Sequence, residues 1–220
     1  MDLTWPEITP QVLLVPTGSW EQHGPHLPLD TDTRIAAAVA GGCDTLVAPP
    51  VAYGSSGEHE EFPGTVSIGQ EALHALLVEF GRSACRWASK LVFVNGHGGN
   101  VSALVSAVKL LRYEAREVAW FSCGIAGGDA HAGRTETALM LAIAPETVRL
   151  DRVEPGNTAP LRELLPKLRQ GKLRELSPNG VLGDPTSATA EHGQVMLAEM
   201  ISHLRAAIDV WQPDEFGRIQ

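Results

Sequence analysis

The fold is decided by a short stretch that reads LVFVNGHGGN over residues 91–100. Its first part, residues 91–94, is a compact apolar run and predicts a buried strand. The glycine-rich turn that follows ends at Asn100, a good N-cap, and residues 101–112 are predicted to be helical. The stretch therefore predicts a strand that passes through a tight turn directly into a helix.

The same alternation extends outward along the chain. Apolar runs at 12–16, 45–48 and 118–122 predict further strands, and stretches at 33–40, 71–89 and 134–144 predict helices. The last third carries helical pieces near 161–173 and a long helix from 190 to about 211. Alternating strands and helices predict the α/β class, with a mostly parallel sheet covered by helices on both faces. No repeat or linker divides the sequence, so residues 1–220 are predicted to form a single domain.

The composition excludes several classes of partner. The 220 residues contain 17 Lys and Arg against 26 Asp and Glu, for a formal charge of -9. This balance argues against binding to nucleic acid or to an anionic membrane. Three scattered cysteines indicate reduced thiols, and neither a signal peptide nor an apolar run of about 20 residues is visible. We therefore expect a cytoplasmic protein without a membrane or nucleic-acid partner.

Polar side chains cluster directly after three of the predicted strands. The first cluster, residues 18–32, contains Glu21, His23 and Asp32, and residues 95–100 contain His97. The third, residues 129–137, contains His131 and Glu136. Because ligands of open α/β sheets bind beyond the carboxyl ends of the strands, one crevice could collect all three clusters.

Imidazoles and carboxylates without cysteine suit a Zn, Fe, Mn or Ni site more than a structural zinc site with thiolate ligands. Three carboxylates and one hydroxide would balance the charge of two divalent ions, and such a pair can activate water and polarise a carbonyl. Each cluster also has a simpler interpretation: a stabilised loop, a tight glycine turn, or a helix start with a solvated glutamate. A phosphate-binding turn is disfavoured because the Lys-Ser/Thr pair of a P-loop is missing, and no GxSxG elbow is present.

Several motifs in this order resemble the creatininase family. The resemblance covers roughly residues 10–195, and its motifs are EQHGPHLP (21–28), Asp32, the loop from YGS (53–55) to FPGT (62–65), NGHGGN (95–100), HAG (131–133) and ET (136–137). Membership implies a three-layer α/β/α sandwich and a metal-dependent amidohydrolase. It also implies a homo-oligomer, commonly a hexamer.

The resemblance implies a role for each residue of the motifs. Glu21 and His97 would hold one divalent ion, His23 the other, and Asp32 would bridge the two, the ions being Zn, Fe(II) or Mn. Creatininase itself has a metal-binding glutamate where this chain has Gly99. We predict that Glu136 replaces that ligand, and we expect the glycine to leave a roomier pocket.

Further roles concern the substrate. His131 is predicted to donate a proton to the leaving amine, and His26 to orient the ligands from behind. The N–H groups of Gly98 and Gly99 could stabilise an oxyanion. A substrate wall is predicted from Ser55, Ser56 and Glu58. Residue 59, a histidine in the acidic stretch 58–61, has two open interpretations, namely the substrate entrance or a solvated loop.

Within the family, the chain most resembles the branch of peptidases that release a C-terminal Val-Tyr dipeptide from a modified mycofactocin precursor peptide. A peptide substrate is therefore expected. An amidohydrolase acting on a cyclic amide or a formamide is the alternative within the family. A non-catalytic metal-binding scaffold is the alternative from another class.

Overall fold

A parallel sheet forms the centre of the molecule. The computed structural model describes residues 3–125, 127–168 and 170–220. The strands in this part of the chain are β1 (Val12–Thr17), β2 (Leu46–Val47), β3 (Lys90–Asn95) and β4 (Val118–Ser122), in the order β2-β1-β3-β4. All neighbouring pairs are parallel, and the register of β1 with β3 runs from Val12 opposite Lys90 to Thr17 opposite Asn95. The two central strands therefore end side by side at one edge of the sheet.

Among the described residues, three helices connect these strands, and four more follow β4. They are α1 (Thr31–Gly41), α2 (Gly69–Ala84), α3 (Val101–Tyr113), α4 (Arg134–Ile143), α5 (Leu161–Leu168), α6 (Leu173–Leu176) and α7 (Ala190–Val210). The prediction for 71–89 was too long, because α2 ends at Ala84 and the chain continues through turns to Ser89. The predicted α/β class is confirmed.

Two apolar layers hold the helices against the sheet. Alternate residues of each strand face opposite layers, so that Leu14 packs with α1, α4 and α7 while Val15 packs with α2 and α3. Both residues are fully buried. A sheet covered on both faces needs strands that are apolar throughout, which explains the unbroken apolar runs in the sequence.

Helices α4 and α7 approach each other closely at a glycine. A Cβ atom on Gly193 would lie 1.9 Å from the backbone carbonyl oxygen of Ala138. Gly193 is buried, and Ala138 lies two residues after Glu136 on the same helix. The missing side chain at position 193 thus helps to set the position of the helix that carries Glu136.

We expect Gly193→Ala to destabilise the protein by about 1–3 kcal/mol, because the added methyl group must push α7 away from α4. The matched control is Gly41→Ala at the exposed end of α1, where an added Cβ meets nothing within 4 Å. Alanine is the better helix former, so this control should be neutral or stabilising by up to about 1 kcal/mol. Urea unfolding measures both, and equal stability of the two variants would contradict the packing argument.

In residues 3–125, 127–168 and 170–220, no helix combines the length and the apolar character that a membrane crossing requires.

Candidate metal centre

Side chains from all three polar clusters meet at the edge where β1 and β3 end. The loop after β1 supplies Glu21 and His23, the first turn of α1 supplies Asp32, the turn after β3 supplies His97, and α4 supplies Glu136. Three groups of three among the described residues can each present ligand atoms within 4.8 Å of one another: Glu21, Asp32 and His97; His23, Asp32 and Glu136; and Glu21, His23 and His131. Asp32 belongs to the first two groups. The structure thus brings together the five residues that the sequence predicts as metal ligands.

Asp32 lies between the two groups with one oxygen facing each. Its Oδ1 atom is 3.1 Å from Nε2 of His23, and its Oδ2 atom is 3.2 Å from Nδ1 of His97. The hydroxyl of Ser19 donates a hydrogen bond to Oδ2 over 2.8 Å. On the far side, Oε2 of Glu136 is 3.9 Å from Nε2 of His23. This geometry suits a carboxylate that bridges two cations.

Backbone carbonyls orient the two imidazoles. Nδ1 of His23 donates to the carbonyl of Glu21 over 3.0 Å, and Nε2 of His97 donates to the carbonyl of Ser55 over 3.0 Å. A carbonyl can only accept, so the other ring nitrogen of each histidine is the one left to face Asp32. These are the nitrogens that can bind a metal ion once deprotonated.

Glu21 supplies the test of whether a cation fits. Its side chain is completely buried, and its oxygens lie 3.2 Å from Nε2 of His59 and 3.2 Å from Nε2 of His97. Neither contact has hydrogen-bond geometry, so both oxygens lack a hydrogen-bond partner within the described part of the chain. A buried carboxylate in this state is costly unless it is paired or coordinated. The residues present therefore fit divalent ions with nitrogen and oxygen ligands.

The electrostatics of the pocket favour added positive charge. Burial raises the pKa of the Glu21 and Glu136 carboxyls. Burial opposes the charged form of His23 and His97, but neighbouring carboxylates outweigh it and raise the pKa of both to about 10. For Asp32, burial is likewise outweighed by the two histidines, which hold its pKa well below the usual range. Two buried carboxylates, Glu21 and Asp32, and the partly buried Glu136 thus create a strong demand for cations.

Two further histidines complete the site. The ring of His131 lies between those of His23 and His59, with centroids 4.4 Å from each and with its plane tilted by 40° and 50° respectively. Its Nδ1 atom lies 3.9 Å from Oε1 of Glu21. Burial, followed by the charge of neighbouring histidines, lowers the pKa of both His131 and His59 well below the usual value. Both rings are therefore held in the neutral form.

Sequence reasoning did not assign His59 or Gln22 to the site. His59 is buried rather than solvated, and it contacts Glu21, while the Gln22 amide lies 2.9 Å from the His59 ring. The position of Gln22 between Glu21 and His23 was an available signal. For His59, the three neighbouring glutamates favoured the interpretation as a solvated loop, and nothing in the sequence indicated its contact with Glu21.

Two cavities open onto the centre and meet at His97 and Glu136. The larger, of 730 Å³, is also lined by Asp32, His59 and His131. The other, of 510 Å³, extends along the end of β4 toward the start of α4. Glu21 and His23 lie below this surface and line neither cavity. The candidate centre thus lies at the bottom of a cleft, with one cavity on each side of His97 and Glu136.

The predicted substrate residues are divided by the structure. Ser55, Glu58, Gly98 and Gly99 line the larger cavity. Ser56 is fully buried and lines neither cavity, and its backbone N–H donates to the Ser67 hydroxyl over 2.9 Å.

His26, predicted to support the ligands from behind, contacts the Thr137 hydroxyl over 2.8 Å rather than a ligand. Thr137 follows Glu136 on α4, so any support from His26 reaches the centre through that helix. Burial, followed by the charge of His23, lowers the pKa of His26 to about 4.

Gly99 does not enlarge the pocket, contrary to our expectation. A Cβ atom there would lie 2.3 Å from Nε2 of His97, 2.3 Å from the Ser55 carbonyl oxygen and 2.8 Å from Oε1 of Glu58. The space that a side chain would occupy is therefore already filled. The glycine instead allows the turn to pass close behind His97.

Comparison with known proteins agrees with the presence of a hydrolytic site at this edge of the sheet. The family model Creatininase, described as creatinine amidohydrolase, matches residues 1–208. The chain belongs to the creatininase family. Its relatives include the mycofactocin precursor peptide peptidase of Mycolicibacterium smegmatis, 58% identical over 216 residues that cover 94% of this chain and 87% of the relative. They also include the creatinine amidohydrolase of Pseudomonas putida, 30% identical over 94% of each chain.

Solved structures of creatininases share the fold of this chain. A type II mutant creatininase matches with a TM-score of 0.80 at 29% identity, covering 97% of this chain and 98% of the other. The structure named Creatininase Mn matches with a TM-score of 0.79 over the same shares, and a mutant creatininase of Zn-Zn type with 0.75 over 97% of each chain. These matches confirm the predicted family and the α/β fold. The relatives are amidohydrolases and peptidases, and this chain is accordingly a hydrolase rather than a non-catalytic scaffold.

We expect Gly99→Ala to lower the affinity for Zn²⁺ by about 10–100-fold, because the methyl group must displace the His97 ring or the Ser55 carbonyl that orients it. Gly41→Ala is again the matched control. Competition with a chromophoric chelator measures the affinity. Unchanged binding in a folded Gly99→Ala variant would contradict the close packing behind His97.

Proposed function

We propose that this chain is a metal-dependent peptidase that releases a C-terminal Val-Tyr dipeptide from a modified mycofactocin precursor peptide. The observation that carries the proposal is the shared Asp32 carboxylate, which faces two groups of ligands at the floor of an open cleft. The 58% identity to a mycofactocin precursor peptide peptidase supports the substrate. Two ions of Zn, Fe(II) or Mn suit the nitrogen and oxygen ligands.

The shape of the cleft supports a peptide substrate. Because the two cavities meet at His97 and Glu136, an extended chain could occupy both sides of the bond that is cleaved. The larger cavity has an apolar wall on one side, formed by Leu161, Leu165 and Leu168 of α5. Apolar and aromatic side chains next to the cleaved bond would pack against this wall.

The metal ligands and His131 would act in different steps of the hydrolysis. Divalent ions held at the centre would lower the pKa of water and polarise the substrate carbonyl. His131 donates its Nε2–H to the Gln22 carbonyl over 2.8 Å, which leaves Nδ1 bare beside Glu21. In the proposed reaction this nitrogen accepts the proton of the attacking water and passes it to the leaving amine as the C–N bond breaks.

The developing oxyanion needs hydrogen-bond donors. Gly98–Asn100 forms a 3₁₀ turn after His97, and the first N–H groups of such a turn have no partner within it. We assign the N–H groups of Gly98 and Gly99, both on the cavity wall, to the oxyanion. Assembly into a hexamer stays a prediction from the family resemblance.

An amidohydrolase for a cyclic amide or a formamide is the second candidate. It is favoured by the 30% identity to a creatinine amidohydrolase over almost the whole chain. The smaller substrate would leave one of the two cavities unused.

We expect His97→Ala to lower kcat/KM for a peptide ending in Val-Tyr by more than about 100-fold. The change removes a ligand nitrogen that lies 3.2 Å from Asp32, the carboxylate shared by two groups of ligands. The matched control is His203→Ala, on the exposed face of α7. Mass spectrometry of the released dipeptide measures turnover. Wild-type turnover in a folded His97→Ala variant would refute the assignment of His97.

Removal of metal provides the test of the reaction class. Treatment with a chelator should abolish release of the dipeptide, and added Zn²⁺, Fe²⁺ or Mn²⁺ should restore it. The same enzyme should be incubated with creatinine and with a formamidopyrimidine. Turnover of either one, with the peptide left intact, would replace the proposed substrate by the second candidate.

A further inference from the structure

The side-chain amide of Gln22 is fixed in one orientation by the backbone on either side of it. Its Oε1 atom accepts a hydrogen bond from the N–H of Gly24 over 2.8 Å, and its Nε2 atom donates to the carbonyl of Gly180 over 3.2 Å. An N–H can only donate and a carbonyl can only accept. The oxygen and the nitrogen of this amide are therefore placed without ambiguity, and the side chain is almost fully buried.

This orientation determines which nitrogen of His59 carries the proton. Nε2 of Gln22 lies 2.9 Å from Nδ1 of His59, and since the amide nitrogen is a donor, Nδ1 must accept. In the neutral ring the proton is then on Nε2. That atom lies 3.2 Å from Oε1 of Glu21, close to hydrogen-bond distance although not in hydrogen-bond geometry, and this oxygen has no hydrogen-bond partner among the described residues.

His131 is held by a different part of the same residue. Its Nε2 atom donates to the backbone carbonyl of Gln22 over 2.8 Å. The 3.1 Å contact between that nitrogen and the Gln22 amide nitrogen therefore joins two donors and is not a hydrogen bond. The side chain of Gln22 controls the tautomer of His59, whereas its backbone controls that of His131.

A glycine on another loop makes room for the amide. Gly180 has a positive φ of 78°, and a Cβ atom on it would lie 2.0 Å from Oε1 of Gln22. This residue belongs to the loop before α7 and lines neither of the two cavities at the centre. The loop thus locks Gln22 from the side opposite to the histidines.

We propose that Gln22 is a positioning residue, which holds His59 in its Nε2–H tautomer so that this N–H orients the Glu21 carboxylate in the metal centre. The contacts form one chain from Gln22 through His59 to Glu21. Partners of this kind behind a ligand tune its orientation and its affinity for the ion. The effect on affinity rests on the proposed metal centre, but the tautomer of His59 does not.

The test is long-range ¹H–¹⁵N correlation of the histidine rings in the metal-free and the zinc-loaded protein. The wild type should show His59 and His131 both as Nε2–H tautomers. Gln22→Glu replaces the donor by an acceptor, so His59 should acquire a proton on Nδ1 while His131, held by the backbone, keeps its Nε2–H. Zn²⁺ affinity should fall by about 10–100-fold.

Two further variants complete the design. Gly180→Ala keeps the glutamine but displaces its amide, so it should also change the His59 signal and weaken Zn²⁺ binding. Gln194→Glu, on the exposed face of α7, adds the same charge and should change neither. Gly180→Ala tests loss of the contact without any added charge, and Gln194→Glu controls for the change in net charge.

Several results would overturn the proposal. An Nδ1–H tautomer of His59 in the wild type would do so without any variant. Unchanged His59 signals and Zn²⁺ affinity in Gln22→Glu would do so as well, and if that variant does not fold, Gly180→Ala decides. A wild type that binds no metal and cleaves no peptide would instead refute the proposed function, while its His59 tautomer would still test the role of Gln22.

Discussion

Three carboxylates, two of them buried and one partly buried, lie together at the end of the sheet, and the arrangement around them follows from the need to balance their charge. Glu21, Asp32 and Glu136 come from a loop and two helices, and two histidines lie between them. An isolated buried carboxylate is costly, so such a cluster persists only with imidazolium or metal cations beside it. The burial that makes the cluster costly also strengthens its attraction for a cation.

The precision of the centre comes from backbone carbonyls rather than from neighbouring side chains alone. His23, His97 and His131 each donate one ring N–H to a carbonyl, from Glu21, Ser55 and Gln22 respectively. These acceptors belong to loops that are themselves tied to the sheet. The ring nitrogen that faces the centre is therefore selected by the course of the backbone.

Asn100 illustrates how the loops are tied together. Its side chain donates to the Gly18 carbonyl over 2.9 Å and accepts the Ser55 N–H over 2.9 Å. It thus joins the ends of β1 and β3 to the loop that provides the carbonyl for His97. The turn is also tight on its other side, because a Cβ on Gly96 would lie 2.3 Å from the Asp32 carbonyl oxygen. These close approaches account for Gly96 and Asn100 of NGHGGN, and the contacts behind His97 account for Gly99.

The sequence by itself determined the α/β class, the family and the ligand types, because apolar runs and chemically distinctive motifs are local properties of a chain. It also indicated that Asp32 and Glu136 belong with His97, since parallel strands end at a common edge. Only the tertiary structure decided the contacts of Gln22 and His59, the burial of Ser56 and the crowding at Gly99. These depend on which side of a loop faces inward and on contacts between segments far apart in the chain, and neither spacing nor composition carries that information.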